Sequence, residues 1–457
     1  MKEVIVIYDI GKTNKKIVLF DKELRIVYQH ESKFETITDE DGFECDDLDA
    51  IEKWVFSSLK KITNEGIFRP VAVNFSTYGA SLVYIDKNGK RLTPLYNYLK
   101  EIPLAVQNDL FARYGGETEF CRNTASPALG LLLNSGIQLL WVKNNYPDIF
   151  KQVNAILHLP QYFSYLFTNT VYSEITSIGC HTFMWDFDKN CYHRWISDNN
   201  IPLPGPVDIS TTKRTVFNNT DLNTGIGIHD SSASMVPYLK GSNDTFILMS
   251  TGTWCINMNP FNNTPLTKEE LQNDCLNYMS IEQKPVKSSR FFLGHIHDIN
   301  VEYLEKWFGE EKNSYRSVQT DQKTLMRFFS GQYSGPVFFK NGMPSDYRDT
   351  QTELSAFTGF SEAYHRLIFD LCRLNKRSAA LITDPVRPVK SIYISGGFAR
   401  NNIFNTVNSL LFPEQDVYTS EIDSSSALGA ALVVYNSFGK NAQVDINLNL
   451  KKYKSIL

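Results

Sequence analysis

The amino-acid sequence predicts an α/β protein of two domains, because one pattern opens the chain and restarts in its second half. Residues 4–8 form an apolar run that is followed by a glycine-containing turn and a second apolar run, residues 16–20. The same order of strand, glycine turn and strand begins again at residue 245. The polar stretch 240–244 between the halves is typical of a linker. We therefore divide the chain into two domains, residues 1–240 and residues 241–457.

The elements of the first half follow from the spacing of its apolar residues. Two β-rich runs joined by a glycine turn are typical of a hairpin. Residues 48–62 carry apolar side chains at helical spacing, which predicts an amphipathic helix. The same reasoning predicts further strands over residues 24–29, 72–75 and 82–85, and helices over residues 137–143 and 161–167.

The second half continues the alternation of strands and helices. Its strands are predicted over residues 245–250, 254–258 and 389–394. A long helical stretch separates the second of these strands from the third. We expect helices over residues 356–382, 402–411 and 424–435.

The composition is that of an ordinary globular protein. Of the 457 residues, 42% are hydrophobic and 21% are charged, which excludes disorder as the main description. The formal net charge of −4 does not favour nucleic-acid binding. No apolar stretch approaches the roughly 18 residues of a membrane span, and the N-terminal run is too short for a signal peptide. The seven cysteines are scattered without a CxxC pair, so we expect free thiols and a cytoplasmic protein.

Three glycine turns directly follow predicted strands, at residues 9–14, 250–253 and 395–397. Glycine lets the backbone approach a ligand, and consecutive N–H groups then form a cradle for an anion. The alternative is a tight turn with a capping threonine or serine. Three such turns in the two halves favour phosphate binding, and Asp9 at its strand end is placed to hold a hydrated Mg²⁺. Neither the P-loop nor the dinucleotide-binding motif is present.

Two further segments contain side chains that are suited to chemistry. Asp230 precedes a run of small residues, and it is either a helix N-cap or a general base at the domain boundary. His295 and His297 form an H-x-H pattern before Asp298. No further metal ligand accompanies this pair, so we expect a structural or surface role for both histidines.

Seven segments then follow one another in an order that points to a single family. They are Asp9-Ile10-Gly11-Lys12-Thr13-Asn14, Ser76-Thr77-Tyr78-Gly79, residues 136–143, Gly227-Ile228-His229-Asp230, Ser250-Thr251-Gly252-Thr253-Trp254, residues 395–401 and residues 427–431. Together they resemble the FGGY family of carbohydrate kinases, which is part of the actin-like ATPase superfamily. The resemblance covers almost the whole chain.

This resemblance implies two actin-like, ribonuclease H-like ATPase domains with a cleft between them. It also implies an ATP-dependent kinase that uses Mg²⁺ and phosphorylates a terminal hydroxyl of a ketose, with neither nucleic acid nor membrane as a partner. His229-Asp230 and Gly252-Thr253-Trp254 are most similar to L-rhamnulose and L-fuculose kinases, so the expected substrate is a 6-deoxy-ketohexose. The alternatives are a pentulose kinase for xylulose or ribulose, a polyol kinase, and a non-catalytic regulator that binds sugar or nucleotide. Dimers are common in the family, so a homodimer is one candidate assembly.

The resemblance also implies roles for individual residues. Asp230 is the expected catalytic base, and Asp9 is expected to reach Mg²⁺ through water. The residues expected around the phosphates of ATP are Gly11, Lys12, Thr13, Asn14, Lys16, Gly252 and Thr253. Those expected at the adenosine are Gly396, Gly397 and Asn401. Those expected at the ketose are Ser76, Tyr78, Asn97, His229 and Asp230.

Two positions depart from the family pattern. Lys12 stands where the family usually has threonine or a small residue, and it either adds a cationic contact to the phosphates or points to solvent. After Pro94, the family commonly has an Asn-Asp or Arg-Asp pair, whereas this chain has Tyr96-Asn97-Tyr98. A sugar-binding carboxylate is therefore missing from this segment. The departure bears on the choice of sugar more than on the reaction.

Overall fold

The computed structural model describes residues 1–331, 333–422, 424–439 and 445–453. Two seven-stranded mixed sheets form the framework. All strands of the first sheet come from residues 2–229, and all strands of the second from residues 246–453. The prediction of two α/β units is confirmed. The proposed division between residues 240 and 241 lies between the two sets of strands.

The first half contains thirteen strands and nine helices in the described residues. Its strands are β1 (Lys2–Ile10), β2 (Lys15–Phe20), β3 (Ile26–Ser32), β4 (Thr36–Thr38), β5 (Glu44–Asp46), β6 (Phe68–Thr77), β7 (Leu82–Ile85), β8 (Ala155–His158), β9 (Trp185–Asp186), β10 (Cys191–Tyr192), β11 (Thr212–Phe217), β12 (Thr220–Gly225) and β13 (Ile228–His229). Its helices are α1 (Leu48–Asn64), α2 (Leu104–Arg113), α3 (Glu117–Asn123), α4 (Ser135–Asn145), α5 (Pro147–Phe150), α6 (Leu159–Thr168), α7 (Ile175–Ile178), α8 (Trp195–Asp198) and α9 (Asp230–Gly241).

The second half contains fewer strands and longer helices. Its strands are β14 (Phe246–Thr251), β15 (Cys255–Asn259), β16 (Leu276–Met279), β17 (Pro285–Phe291), β18 (Ser391–Gly396), β19 (Asp416–Ser420) and β20 (Leu450–Tyr453). Its helices are α10 (Lys268–Gln272), α11 (Leu293–Phe308), α12 (Gln322–Phe329), α13 (Phe360–Ala380), α14 (Asn402–Leu411) and α15 (Ser425–Val433). Short 3₁₀ turns occupy Ser314–Ser317, Leu354–Ala356, Gly397–Arg400 and Tyr435–Phe438.

The first sheet has the strand order β11-β12-β6-β1-β2-β3, and β13 pairs with the end of β6. Strand β1 is antiparallel to β2, which confirms the predicted hairpin, and it is parallel to β6. The register places Asp9 of β1 between Lys16 of β2 and Ser76 of β6. Strand β13 places Ile228 next to Ser76. The first glycine turn and the segment before Asp230 therefore reach the same edge of the sheet.

The second sheet has the order β16-β17-β15-β14-β18-β19-β20. Strands β14 and β18 are parallel, with Thr251 opposite Gly396. The hydroxyl of Thr251 donates a hydrogen bond to the carbonyl of Ser395 and accepts one from the N–H of Phe398 at 3.1 Å. The second and third glycine turns thus lie side by side at one edge of this sheet.

Strand β1 is buried on both faces, as its continuous apolar run predicts. Val4, Val6 and Tyr8 pack with α1 on one face, where Tyr8 donates a hydrogen bond to the carbonyl of Val55 at 2.8 Å. Ile5 and Ile7 pack on the other face. The N-cap of α1 is Asp47, whose side chain accepts a hydrogen bond from the Ala50 N–H at 3.0 Å.

The second face of the first sheet is covered by helices α9 and α15, although α15 lies almost two hundred residues further along the chain. The two helices cross at Gly429, where an added Cβ would lie 1.8 Å from the carbonyl oxygen of Ala233. Helix α9 also turns Met235 and Tyr238 towards the core under the second sheet. Helix α9 is therefore packed between the two sheets and joins their cores.

One helix is shorter than expected. The helical periodicity predicts residues 356–382, whereas α13 begins at Phe360 after a 3₁₀ turn over Leu354–Ala356. Glu362 accepts hydrogen bonds from the N–H and hydroxyl of Thr358 at 2.8 and 2.7 Å, which fixes the start of the helix. Within the part of the chain that the structure describes, no helix is long and apolar enough to cross a membrane.

Candidate active site

Two carboxyl groups, Asp9 and Asp230, meet at the edge of the first sheet. Asp9 is the next-to-last residue of β1, and its side chain accepts a hydrogen bond from the hydroxyl of Ser426 in α15 at 2.8 Å. Asp230 is the first residue of α9, and its side chain is 31% exposed. It accepts a hydrogen bond from the N–H of Ser231 at 2.6 Å. The N-cap position of α9 belongs to His229, so Asp230 does not occupy the N-cap.

Both carboxyl groups have raised pKa values. Burial raises the pKa of Asp230 from 3.8 to about 6, although the hydrogen bonds from Ser231 oppose this rise. Burial also raises the pKa of Asp9 to about 6; the hydrogen bond from Ser426 opposes it, and the charge of Asp230 adds to it. The two groups are therefore close enough to influence each other. At neutral pH both are ionised for most of the time, and together they form a negatively charged edge that attracts a cation.

His229 lies behind Asp230 and does not face open solvent. Its side chain is buried, and burial lowers its pKa to about 3, so the imidazole is neutral at pH 7. Its Nε2 atom lies 3.2 Å from Asp230 Oδ1 and 3.2 Å from Cys180 Sγ. Gly79 lies against the same ring, since an added Cβ would be 3.0 Å from His229 Nε2. Besides Cys180 and Gly79, His229 therefore contacts the candidate base, Asp230.

The first glycine turn (residues 9–14), which is the expected first phosphate turn, connects β1 and β2. The N–H of Gly11 donates a hydrogen bond to the carbonyl of Asn14 at 3.0 Å, which closes the turn, and Thr13 is exposed at its tip. Lys16 lies beside Asp9 in the register of the sheet, and its charge lowers the pKa of Asp9. The structure therefore brings Asp9, Gly11 and Lys16 together with Asp230.

Lys12 takes neither of the two expected courses. Its Nζ atom donates a hydrogen bond to Asp46 Oδ2 at 2.7 Å. The same atom lies 5.5 Å from the ring centre of Tyr78 and 5.8 Å from that of Tyr98. The side chain thus runs along the sugar-side segment and away from the N–H groups of its own turn.

Of the five residues expected at the ketose, the four besides Asp230 lie in different environments. Tyr78 is buried, with 7% of its surface exposed, and its hydroxyl donates to Asp46 Oδ2 at 2.6 Å. Ser76 is fully buried next to Asp9. Asn97 is 8% exposed and donates to the carbonyl of Glu44 at 2.9 Å. Ser76, Asn97 and His229 are therefore buried in this structure and support the site from the protein interior.

Tyr98 is a residue that the sequence reasoning missed. Burial raises its pKa, and the charges of Asp230 and Asp46 raise it further. Its ring packs edge-on against Tyr78, with 5.9 Å between the ring centres. Tyr98 occupies the segment from which the family's carboxylate is missing, and it is partly exposed. This departure from the family pattern was the available signal.

The second glycine turn (residues 250–253), which is the expected second phosphate turn, contacts the start of helix α11. The N–H of Gly252 donates to the carbonyl of Trp254 at 2.9 Å, and the N–H of Gly294 donates to the carbonyl of Thr253 at 3.0 Å. A Cβ added to Gly294 would lie 2.3 Å from the carbonyl oxygen of Gly252. Only glycine at position 294 lets the turn approach the helix so closely. Gly294 belongs to no motif, and the sequence reasoning missed it.

The two glycines of the third glycine turn, residues 395–397, have different roles. Gly396 has a φ of +83°, and an added Cβ would lie 1.9 Å from the carbonyl oxygen of Thr251. Gly397 has no atom within 4 Å of its Cβ position and lines a cavity. Gly396 therefore holds the two turns together, and Gly397 leaves room for a ligand.

A cavity of about 560 Å³ lies at this edge of the second sheet. Gly252, Thr253, Gly397 and Asn401 line it, which groups four of the predicted nucleotide residues. The cavity also receives side chains that the sequence reasoning did not select, among them His297, Asp298, Tyr315, Arg316, Tyr364 and Arg400.

The cavity has an aromatic wall and two cationic side chains. The ring centres of Tyr315 and Tyr364 are 5.6 Å apart, and Asn401 donates a hydrogen bond to the Tyr364 hydroxyl at 2.9 Å. Arg316 and Arg400 line the same cavity. Aromatic faces suit a base, and arginines suit phosphate oxygens. The arrangement fits a nucleotide.

The paired histidines have separate environments. His297 lines the cavity, and its Nδ1 lies 2.9 Å from Asp298 Oδ1. His295 stacks on Phe292 with 4.3 Å between the ring centres. Among the residues that the structure describes, no group of three or more histidine, cysteine, aspartate or glutamate side chains is placed to hold a metal ion.

Comparison with known protein families shows to which family the chain belongs. The pattern of the FGGY family of carbohydrate kinases, N-terminal domain, matches residues 4–199, and that of the carbohydrate kinase FGGY, C-terminal domain, matches residues 243–443. The chain belongs to the FGGY family of carbohydrate kinases. Each matched range of this FGGY kinase family member contains most strands of one sheet, although β11, β12 and β13 lie beyond the first range and β20 lies beyond the second.

Individual relatives are more distant. The rhamnulokinase of Halalkalibacterium halodurans is 26% identical over 262 residues, which cover 54% of this chain and 54% of that protein. The alignment with the curated relatives thus spans about half of their length. Among solved structures, a carbohydrate kinase from Novosphingobium aromaticivorans has a TM-score of 0.82 at 21% identity and covers 100% of this chain and 95% of its own. A ligand-bound xylulose kinase from Lactobacillus acidophilus has a TM-score of 0.78 at 15% identity, covering 99% and 93%. These likenesses show the fold of the FGGY kinases over the whole chain.

Proposed function

We propose that this FGGY family member is an ATP-dependent ketose kinase with Asp230 as its general base. The observation that carries the proposal is the position of Asp230 at the first residue of α9, partly exposed and next to Asp9. A sugar hydroxyl is a weak nucleophile at neutral pH. A carboxylate with a pKa of about 6 is largely ionised at pH 7 and is still basic enough to accept the hydroxyl proton.

In the proposed reaction, the terminal hydroxyl of the ketose gives its proton to Asp230 as its oxygen attacks the γ-phosphorus of ATP. A bond forms between that oxygen and phosphorus, and the bond from phosphorus to the bridging oxygen of ADP breaks. ADP leaves with the electron pair of that bond. His229 stays neutral and keeps the carboxylate oriented through its contact with Oδ1. Asp230→Asn keeps the shape of the side chain and removes the proton acceptor.

Charge neutralisation and positioning supply most of the catalysis in phosphoryl transfer. The first and second glycine turns would hold the phosphate oxygens through N–H groups other than those of Gly11 and Gly252, which close the turns. Lys16 supplies positive charge beside Asp9. Asp9 fits the role of an outer ligand to Mg²⁺, since this ion keeps several waters and needs few carboxylates from the protein. When bound, Mg²⁺ would neutralise charge on the phosphates.

For the sugar, we propose a 6-deoxy-ketohexose, with L-rhamnulose ahead of L-fuculose. Rhamnulokinases are among the curated relatives at 22–26% identity. The segment 96–98 contributes a partly exposed tyrosine in place of a carboxylate. An aromatic face suits the apolar methyl group of a deoxysugar better than a charged group does. Pentuloses and polyols are the competing substrates.

The test is the release of ADP from Mg-ATP with a panel of acceptors: L-rhamnulose, L-fuculose, L-ribulose, D-xylulose, D-ribulose and glycerol. We expect the highest kcat/KM with one of the two 6-deoxy-ketoses. Preferred turnover of a pentulose or of glycerol would support the proposed kinase activity and refute the proposed 6-deoxy-ketohexose substrate. An enzyme that binds ATP and turns over none of the six would count against the ketose kinase itself.

The role of Asp230 has its own test. We expect Asp230→Asn to lower kcat by about a hundredfold to ten-thousandfold, the usual contribution of a general base, and to leave ATP affinity within a factor of about two. Asp148→Asn is the matched control, because Asp148 is a surface carboxylate whose side chain is 90% exposed. A kcat of Asp230→Asn close to that of the control would refute the assignment.

A further inference from the structure

A buried carboxylate that belongs to no sequence motif, Asp46, connects two separate parts of the first half. It ends strand β5 and is 5% exposed. Its Oδ1 atom accepts a hydrogen bond from Lys15 Nζ at 2.8 Å. Its Oδ2 atom accepts hydrogen bonds from Lys12 Nζ at 2.7 Å and from the Tyr78 hydroxyl at 2.6 Å. Burial alone would raise the pKa of Asp46, but these three donors outweigh burial and lower it. Asp46 is therefore held as an anion.

The first connection runs to the phosphate turn. Lys12 belongs to that turn, and Lys15 follows it directly. Lys15 is 3% exposed, and its Nζ atom also donates a hydrogen bond to the carbonyl oxygen of Lys12 at 2.9 Å. The turn is thus attached to Asp46 through one side chain and through one backbone carbonyl. A carbonyl that is fixed in this way keeps the neighbouring N–H groups in one orientation.

The second connection runs to the sugar side. Tyr78 follows β6, and its N–H also donates to the carbonyl of Ile10 at 3.1 Å. Asp46 pairs with Leu95 in an isolated antiparallel bridge, which places it beside the segment that leads to Tyr98. The charge of Asp46 reaches the Tyr98 hydroxyl and raises the pKa of that group. Asp46 therefore stands between the turn and both tyrosines.

We propose that Asp46 is a positioning residue that fixes the first phosphate turn and the sugar-side tyrosines in one relative geometry. The proposal rests on the ketose kinase function, since it assumes that the turn holds phosphate and that the tyrosines face the sugar. Asp46 itself touches neither substrate. It acts through Lys12 and Lys15 on one side and through Tyr78 on the other.

The exchange Asp46→Asn tests this role because it keeps size and shape. An amide nitrogen cannot accept hydrogen bonds from Lys12 and Tyr78. The buried ammonium group of Lys15 and the partly exposed one of Lys12 also lose their counter-charge. We expect ATP affinity to fall about tenfold to a hundredfold, the size of lost hydrogen bonds to charged groups. The affinity for adenosine should change by less than about twofold, because its cavity is lined by residues of the second half. Calorimetric titration with ATP and with adenosine measures both.

The matched control is Asp47→Asn, the same exchange one residue along the chain. Asp47 caps helix α1, and asparagine caps helices equally well, so both affinities should stay within about twofold. Equal losses of ATP and adenosine affinity in Asp46→Asn would indicate general destabilisation and would overturn the proposal. An unchanged affinity for ATP would overturn it as well.

A second variant covers the case in which Asp46→Asn does not fold. Tyr78→Phe keeps the ring and removes one of the three donors. The proposal predicts that this sugar-side change lowers ATP affinity about fivefold, because it acts on the turn through Asp46. ATP affinity equal to that of wild type in Tyr78→Phe would overturn the proposal.

These measurements separate the positioning role from the function on which it rests. Neither affinity requires turnover. A wild-type protein that binds ATP but phosphorylates no sugar would refute the kinase function, while the ratio of ATP to adenosine affinity would still test Asp46. An active kinase whose Asp46→Asn variant keeps the wild-type ratio would refute only the positioning role.

Discussion

At the scale of single residues, the chemistry depends on carboxylates that are kept in unfavourable surroundings. Asp9 and Asp230 both have pKa values raised by burial to about 6, and each is ionised at neutral pH beside the other. Such placement favours a base or a cation ligand, and it does not favour the folded state. Asp46 shows the opposite case, since its three donors make its ionised form the stable one.

A stability measurement follows from the raised pKa of Asp230. The folded pKa of about 6 lies above the unfolded value of 3.8, so folding is favoured by protonation and loses stability as pH rises through 6. Asp230→Asn removes this cost. We expect it to raise the free energy of unfolding by on the order of 1 kcal/mol at pH 7.5 and to give no gain near pH 4. Urea unfolding at both values measures the difference, with Asp148→Asn as control. A less stable variant at pH 7.5 would contradict the expectation.

Residues of the candidate site were predictable from the sequence where they lie inside a motif. Asp9, Asp230 and the glycines of the three turns stand in short runs that follow strands, so local sequence was sufficient. Asp46, Tyr98 and Gly294 lie far from those runs, and only the folded chain brings them to the site. The contacts of Asp46 and Gly294 depend on distance in space, for which a single sequence has no local signal. Tyr98 differs, because its segment departs from the family pattern.

At the scale of elements, the second phosphate turn and helix α11 form one unit. Glycine at position 294 is required because the carbonyl of Gly252 occupies the space of a side chain. The helix would otherwise favour alanine over glycine by about 1 kcal/mol. The contact between turn and helix therefore overrides helix propensity at this position.

The exchange Gly294→Ala should displace the second phosphate turn. We expect a loss of about 1–3 kcal/mol in the free energy of unfolding and a fall in ATP affinity of about tenfold, because the added Cβ collides with backbone. Sugar affinity should stay unchanged, since the sugar-side residues belong to the first half. Gly205→Ala is the control, as no atom lies within 4 Å of its Cβ position. An ATP affinity like that of the control would show that the turn tolerates the displacement.

Most strands with continuous apolar runs were predictable, but one polar edge hairpin was not. Strand β1 is buried on both faces, so its run of apolar residues identifies it. The hairpin of β11 and β12 was missed, because β11 is an edge strand with mostly exposed residues. Asn218 and Asn219 turn this hairpin with positive φ values of 47° and 60°, a signal that is visible only beside recognised strands.

At the scale of the whole molecule, helices α9 and α15 connect the two halves. Helix α9 presents Asp230 at its first residue and packs against the cores of both sheets. Helix α15 donates the hydrogen bond of Ser426 to Asp9. The relative position of the Asp9 and Asp230 carboxylates therefore depends on how these helices pack.

The exchange Gly429→Ala tests this dependence. Helix propensity alone predicts stabilisation, whereas an added Cβ 1.8 Å from the carbonyl of Ala233 must push the helices apart. We expect a loss of about 1–3 kcal/mol in the free energy of unfolding and a kcat at least about tenfold lower. Urea unfolding and steady-state kinetics measure these values. A more stable and fully active variant would show that the helix pair adjusts without moving the carboxylates.

The packing of helix α15 also determines when the first half can finish folding on the ribosome. Ile5, Ile7 and Ala72 emerge early, but their covering residues Ala427 and Ala430 are made long after them. Until α15 is made, the part of this sheet face that α9 does not cover therefore remains an exposed apolar surface. Such a nascent chain is a natural client for chaperones, and a chain terminated before residue 425 would keep that surface exposed and tend to aggregate.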